Sequence, residues 1–380
     1  MEGHMIMSQK ERERKVVLAS VTDGSLTLAE ASALLGISRR QMTRVYARYR
    51  REGDAGLVHR SRGGRSNRSM AEAFRRRVLA RYEEVYADFG PTLAAEKLAQ
   101  EGLVVDHETL RRWLLAQGLW TRRRKRHPYR QRRERRAHRG ELVQLDGSHH
   151  RWFGPEGEQC CIMQFIDDAD GRRLAVMDTE ETTEAALRGL WLWVERYGIP
   201  RALYVDCKSV FRTERAPTVE EQLKGETPQT QFGKVCARLG IDLIFARSPQ
   251  AKGRIERAHG VLQDRFVKEM ALQGITDIEG ANSLLLNGFM EDLNNRFARE
   301  PRNKRDRHRK VPRGLDLADV FCFEETRQLN NDWTVRYQNH FFQVEGEQNG
   351  PLPKPKDKIS VCTRLDGTVF LAFGATRLNF

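Results

Sequence analysis

The chain has 380 residues, 39% of them hydrophobic and 31% charged, and a formal net charge of +14. That length accommodates about two to four domains, the excess of lysine and arginine favours a polyanionic partner, and no apolar stretch approaches the roughly 20 residues of a membrane span. No basic leader precedes an apolar signal core, so a cytoplasmic protein is expected; all six cysteines follow position 159 in no disulfide or zinc-ligand pattern, which reads as reduced, packed thiols.

The first candidate domain, residues 8–56, places Val17, Leu18 and Val21 on one helix and Leu28, Ala31, Leu34 and Leu35 on a short second one. A turn at Gly36, Ile37 and Ser38 introduces a third helix, which buries Met42, Val45, Tyr46 and Tyr49 at helical spacing and leaves Arg39, Arg40, Gln41, Arg44 and Arg48 outside. This predicts a helix-turn-helix whose third helix enters the major groove of double-stranded DNA. Residues 57–70 form a basic linker whose Arg62 and Arg65 are candidates for minor-groove contact; a solvated loop is the plainer alternative.

Residues 71–120 repeat the three-helix plan. Phe74, Val78, Tyr82 and Val85 mark one helix, residues 92–100 a second, and Leu110, Trp113 and Leu114 a third, which also offers Arg111 and Arg112 to DNA. The next linker, residues 121–140, carries Arg122, Arg123, Arg124, Lys125 and Arg126 and further arginines up to Arg139 with almost no opposing charge. Like-charge repulsion predicts a segment that stays extended unless phosphates neutralise it, and binding that weakens steeply with salt.

From residue 141 the pattern changes. Strand composition at 142–146, 160–167 and 173–178 gives a three-stranded meander. A helix follows at 183–197, with Ala186, Leu190, Trp193, Val194 and Tyr197 on one stripe, then a strand at 202–206, a helix around Phe232, Val235, Cys236 and Leu239, a strand at 241–246, and a helix opening after Ser248 and Pro249. Meander first and alternating helix and strand afterwards is the element order of a ribonuclease-H-like α/β core, here residues 141–298.

Three carboxylates stand out in that core. Asp146 closes the apolar run of LVQLDGS, Asp206 that of ALYVDCKSVF, and Glu256 sits about two turns into the helix of SPQAKGRIERAHG. Taken one at a time, a strand-end aspartate more often caps a turn and a helical glutamate more often pairs with a neighbour such as Arg257. Together they can converge at one sheet edge and offer the hard oxygens that Mg²⁺ or Mn²⁺ prefers. Two such ions about 4 Å apart serve phosphoryl transfer without a side-chain nucleophile.

In LVQLDGSHHRWF, IPRALYVDCKSVF and SPQAKGRIERAHGVLQDR the chain resembles the DDE transposases and integrases of the retroviral-integrase superfamily, most closely insertion-sequence transposases with an integrase core. The likeness spans nearly all of it. It implies that Asp146, Asp206 and Glu256 are the catalytic triad and the ligands of two Mg²⁺ or Mn²⁺ ions, Asp146 bridging both. It further implies terminal inverted repeats and target DNA as substrates, strand cleavage followed by strand transfer, a homodimer or higher synaptic oligomer, and a prokaryotic, nucleoid-associated location. Three departures accompany it: no cysteine-bearing zinc domain precedes the core; Asp206 lies fifty positions before Glu256, farther than the resemblance implies, with the polar stretch 213–230 as an insertion or a mobile loop; and Cys207, Lys208 and Ser209 follow the second aspartate where the resemblance implies a more basic or histidine-containing stretch.

Around the triad, Lys252, Arg254 and Arg257 are candidate phosphate contacts, with a solvated helix face as the alternative. His259 and Gln263 fall near the face of Glu256, Trp152 reads as core, and Asp167, Asp168 and Asp170 as a hairpin turn. A basic linker at 299–325 then precedes a small β-barrel at 326–380, with strands expected at 334–337, 341–344, 358–361 and 368–373. Two other functions fit the same features: a DNA-binding regulator with an inactive core, and a ribonuclease-H-like nuclease that cuts without joining.

Overall fold

A computed structural model describes residues 6–62, 70–121, 133–225, 227–246, 253–374 and 376–380. It divides into two compact units, Met1–Thr121 and Arg122–Phe380.

The first unit opens with α1 (Gln9–Thr22), α2 (Leu28–Leu34) and α3 (Arg39–Glu52). Thr27 caps α2 reciprocally with Glu30, and Ser38 caps α3 by accepting the Gln41 N–H at 3.2 Å. Leu18, Ala31, Met42, Val45 and Leu57 form the core. Leu34, expected to face inward, is 65% exposed: Leu28, Ala31 and Leu35 lie within about 60° of one another around the helix, and residue 34 falls about 60° beyond Ala31, outside that stripe. A second set, α4 (Glu72–Val85), α5 (Pro91–Gln100) and α6 (His107–Ala116), packs around Val78, Tyr82, Leu98, Leu110 and Leu114. Asp106 caps α6, accepting the N–H groups of Glu108 and Thr109.

The second unit is a five-stranded sheet between helices. Its elements are β1 (Val143–His150), β2 (Cys160–Asp167), β3 (Arg173–Asp178), α7 (Thr183–Tyr197), β4 (Ala202–Val205), α8 (Val219–Lys224), α9 (Gln231–Leu239), β5 (Asp242–Phe245), α10 (Gly253–Gln273), α11 (Ile278–Leu284) and α12 (Met290–Phe297). Strand order is β3-β2-β1-β4-β5, antiparallel through β3, β2 and β1 and parallel from β1 to β4 and β5, which is the ribonuclease-H-like arrangement. Val143, Leu145, Phe165 and Leu203 pack against α7 and α9 on one face. Ile162, Ala175 and Met177 pack with Trp152 against Leu262 and Phe266 of α10 on the other. All eight positions of β2 are buried, which explains why six of them are apolar, Gln164 and Asp167 being the exceptions.

Two expectations need correction, and another falls partly outside the described residues. First, β1 does not stop at Asp146 but runs to His150, because residues 147–150 pair with Cys160 to Met163 of β2; Asp146 is therefore mid-strand. Second, the helix bearing Glu256 is described from Gly253, and its expected opening after Ser248 and Pro249 lies outside the described residues. Third, the segments expected as basic linkers are partly laid on the core. The Asp168 carboxylate accepts from Arg133, and from the Arg136 N–H at 2.8 Å, while Asp170 accepts from Arg139 at 2.7 Å. Protein carboxylates thus neutralise these arginines where phosphates were expected. Residues 303–309 run alongside: the Arg307 N–H donates to the Arg139 carbonyl, and Arg309 and Ile199 exchange two backbone bonds of 2.8 Å.

Beyond α13 (Leu317–Val320) come β6 (Cys322–Gln328), β7 (Thr334–Tyr337), β8 (His340–Gln343), β9 (Lys358–Arg364), β10 (Val369–Phe373) and β11 (Thr376–Leu378). They form an open sheet, β11-β10-β9-β6, and a separate β7-β8 hairpin sharing a core of Val335, Tyr337, Ile359, Val361 and Leu371. Among the described residues no pairing closes them into the expected barrel. The insertion at 213–230 contains α8, whose Val219 and Leu223 are exposed.

Candidate active site

Strand pairing sets the first two carboxylates side by side. β1 and β4 are parallel, with Val143 opposite Leu203 and Gln144 opposite Tyr204. Continuing that register by two positions brings Asp146 level with Asp206, just past the end of β4, and residues level on neighbouring parallel strands share a face. That face is the one α10 covers, since Asp146 alternates with Gln144 and Ser148. The Gln144 amide donates to Asp168 Oδ1 at 2.8 Å, which also accepts from Arg254 of α10 at 2.5 Å. The Gln263 amide of α10 donates to Ser148 Oγ at 3.1 Å.

These two ties orient the third carboxylate. From Arg254 to Gln263 the helix rises about 13.5 Å, and from Gln144 to Ser148 the strand advances about 13 Å, so α10 runs alongside β1 in step with it. Glu256 follows two residues beyond Arg254 on this helix and is exposed. His259 and Gln263 continue its stripe, as the sequence implied, and His259 is buried. The donor set on this face is carboxylate oxygen, which fits a hard divalent cation.

A cationic group already stands beside those oxygens. Lys208 Nζ lies 3.7 Å from Asp206 Oδ2 and 2.5 Å from Glu181 Oε2. Burial draws the Lys208 amine down, but the Glu181 hydrogen bond and the charges of Glu181, Asp206 and Asp146 outweigh it and hold the ammonium above its usual range. Glu181, on the connection from β3 to α7, has a 6% exposed side chain and also approaches His149 Nε2 at 3.4 Å. His149, Cys161 and Glu181 bring ligand atoms within 4.8 Å of one another, although burial pushes the Cys161 thiol up to about 12, against thiolate formation.

Sequence reasoning missed Glu181, Lys208 and Gln164. Gln164 sits directly across from Asp146 on β2, fully buried, and neither amide atom has a hydrogen-bond partner. The available signals were a lone amide within the apolar CCIMQFID and the glycine beside Asp146. A Cβ at Gly147 would come 2.4 Å from Glu181 Oε2, so only glycine lets that carboxylate reach the β1 backbone.

The candidate DNA contacts separate by burial and pairing. Arg39, Arg40, Gln41, Arg44 and Arg112 are exposed on α3 and α6, as a groove-facing set requires. Arg48 is half-buried, because the Gly56 turn packs on its backbone. Arg111 is engaged by Glu108 one turn earlier, at 2.7 Å. Arg62, expected in a minor groove, grips both Glu11 oxygens at 2.6 Å; the Ser8 N–H and Arg62 hold that carboxyl at about 2, well below its ordinary value. Arg254, expected on phosphate, is only 12% exposed and binds Asp168, which makes it a structural anchor. Arg257 donates to the Gly253 carbonyl. Arg65, Arg122, Arg123, Arg124, Lys125, Arg126 and Lys252 lie outside the described residues. Trp152 is core, and Asp167, Asp168 and Asp170 form the expected turn.

Known proteins match these two parts. The helix-turn-helix domain family matches residues 13–65, and the homeodomain-like domain family matches residues 41–114. A Sinorhizobium fredii (strain NBRC 101917 / NGR234) protein named as a transposase, y4bF, is 39% identical over 346 residues, 90% of this chain and 74% of its own length. The transposase for insertion sequence IS1202 of Streptococcus pneumoniae is 26% identical over 95% of this chain and 84% of that protein. Solved structures include the simian T-cell lymphotropic virus intasome in complex with PP2A regulatory subunit B56 gamma, at 14% identity and TM-score 0.36 over 74% of this chain and 93% of that one. Among the described residues no helix is long and apolar enough to cross a membrane. With 39% identity over 90% of its length to a protein named as a transposase, the chain belongs to the transposases.

Proposed function

We propose that this transposase binds the terminal inverted repeats of its element and cuts and joins DNA strands at a site built from Asp146, Asp206 and Glu256. The observation that supports the proposal is the register of β1 and β4, whose continuation brings Asp146 level with Asp206. Mg²⁺ or Mn²⁺, two ions per site, would supply a more acidic water and neutralise charge on the phosphodiester. Asp146, Asp206 and Glu256 would hold these ions through their carboxylate oxygens.

The protein's own part is placement. α3 and α6, through Arg39, Arg40, Gln41, Arg44 and Arg112, hold the element end, and the residues beyond Arg122 add phosphate contacts. At the core, the carboxylates align water with the scissile phosphorus; attack there breaks the P–O3′ bond and leaves a 3′-hydroxyl. In the second step that hydroxyl attacks a target phosphodiester, one P–O bond forming as another breaks, so no covalent enzyme intermediate is required. Joining two ends in one event calls for a homodimer or a larger synaptic assembly.

Purified protein mixed with a labelled element end, target plasmid and Mn²⁺ tests this, with joined product expected. Asp146→Asn, Asp206→Asn and Glu256→Gln should each reduce joining by at least about a hundredfold, with end binding intact. Undiminished joining by Glu256→Gln refutes that residue's role, cut product alone supports a nuclease, and bound DNA alone a regulator.

A further inference from the structure

We propose that Lys208 grips a DNA phosphate during strand transfer and that Glu181 is the positioning residue that sets its reach. The inference rests on the assignment of Asp146 and Asp206 above and adds two residues to that site.

Lys208 is held firmly at its backbone. Its N–H donates to Asp206 Oδ1 at 3.1 Å, and its carbonyl accepts the N–H groups of Phe211 and Arg212 at 3.0 and 2.9 Å. Phe211 is buried three residues on, edge to face with Phe232 of α9. The side chain, in contrast, is 46% exposed, so a fixed backbone carries an ammonium to the mouth of the carboxylate cluster.

Glu181 is the opposite case. Its side chain is almost wholly buried against Gly147, Oε1 has no hydrogen-bond partner, and Oε2 meets the Lys208 ammonium at 2.5 Å. A buried carboxylate so incompletely satisfied costs stability, and the nearer of its two ion-pair partners is a lysine that could otherwise remain in water. That cost has a use if the ammonium must be kept beside Asp206. Divalent ions on Asp206 would repel Lys208 from that carboxylate while Glu181 retains it, leaving its outward N–H groups for an anion. The anion that approaches this edge is phosphate, and lysine recognises phosphate as a compact point charge.

The test uses the full chain, a pre-cut element end, target plasmid and Mn²⁺, varying target concentration and salt. Lys208→Gln should raise the target concentration for half-maximal joining about tenfold or more, the worth of one charge-assisted hydrogen bond. It should also lower the salt slope of target use by about one counterion, with end binding unchanged. Lys208→Arg should keep the slope. Glu181→Gln should keep it too while raising the half-maximal concentration less, which a merely unfolded variant would not do. An unchanged slope and half-maximal concentration in Lys208→Gln overturns the proposal, as does slower joining at an unchanged slope. Wild-type protein that joins nothing overturns the carboxylate assignment itself, and this proposal with it.

Discussion

Replacing Asp168 by asparagine should loosen the catalytic core without touching its carboxylates. Asp168 is fully buried and accepts from Arg133, Arg254, the Gln144 amide and the Arg136 N–H, so it ties α10 and the preceding basic segment to β1. Removing one member of a buried charge network costs about 3–5 kcal/mol. The Arg133 side chain is 42% exposed and can regain water, whereas that of Arg254 is 12% exposed and cannot, which favours the lower end, about 3 kcal/mol. For a unit of this size that lowers the melting midpoint by roughly 6–12 °C. Calorimetry resolves the unit's transition, and a cycle with Arg254→Met should give a coupling of about 1–3 kcal/mol. A midpoint within about 1 °C of wild type, or strictly additive effects, would refute the anchoring role.

Burial pushes the Asp167 carboxyl up from 3.8 to about 7. The folded chain therefore keeps a proton that the unfolded chain loses, so this group's stabilisation is complete below pH ~4 and is lost as pH rises towards 7. Asp167→Asn should gain on wild type by about 2–3 kcal/mol between pH 5 and pH 8 in chemical denaturation, and a constant difference would contradict the shift. Gln164→Leu should stabilise the core by about 1–3 kcal/mol by removing two buried unpaired polar atoms, while slowing joining through the position across from Asp146. An unchanged melting midpoint would show that the amide is satisfied in solution.

Local pattern made much of the core legible. The bounds of β2, β3 and α7 follow from their apolar composition and periodicity. What stayed hidden was set by distant partners. Gly147, Ser148 and the two histidines have no strand signature of their own; pairing with β2 extends β1 through them. The polar β6 is an edge strand buried mainly at its first residue. Arg62 and Arg254 look like any DNA-binding arginine until Glu11 and Asp168, 51 and 86 positions away, are brought to them. Glu181 was illegible for the same reason, since its role depends on Lys208 and on the space left by Gly147.

The alternation along β1 joins folding and chemistry in one reading frame. Val143 and Leu145 fill one side while Gln144, Asp146 and Ser148 alternate to the other, where Ser148 meets Gln263 of α10. Deleting or inserting a single codon within this strand would turn Asp146 into the oily layer and expel leucine from it. Selection for a chain that merely folds would therefore guard the orientation of the aspartate, and indels in copies of this gene should avoid these eight codons even after mobility has been lost.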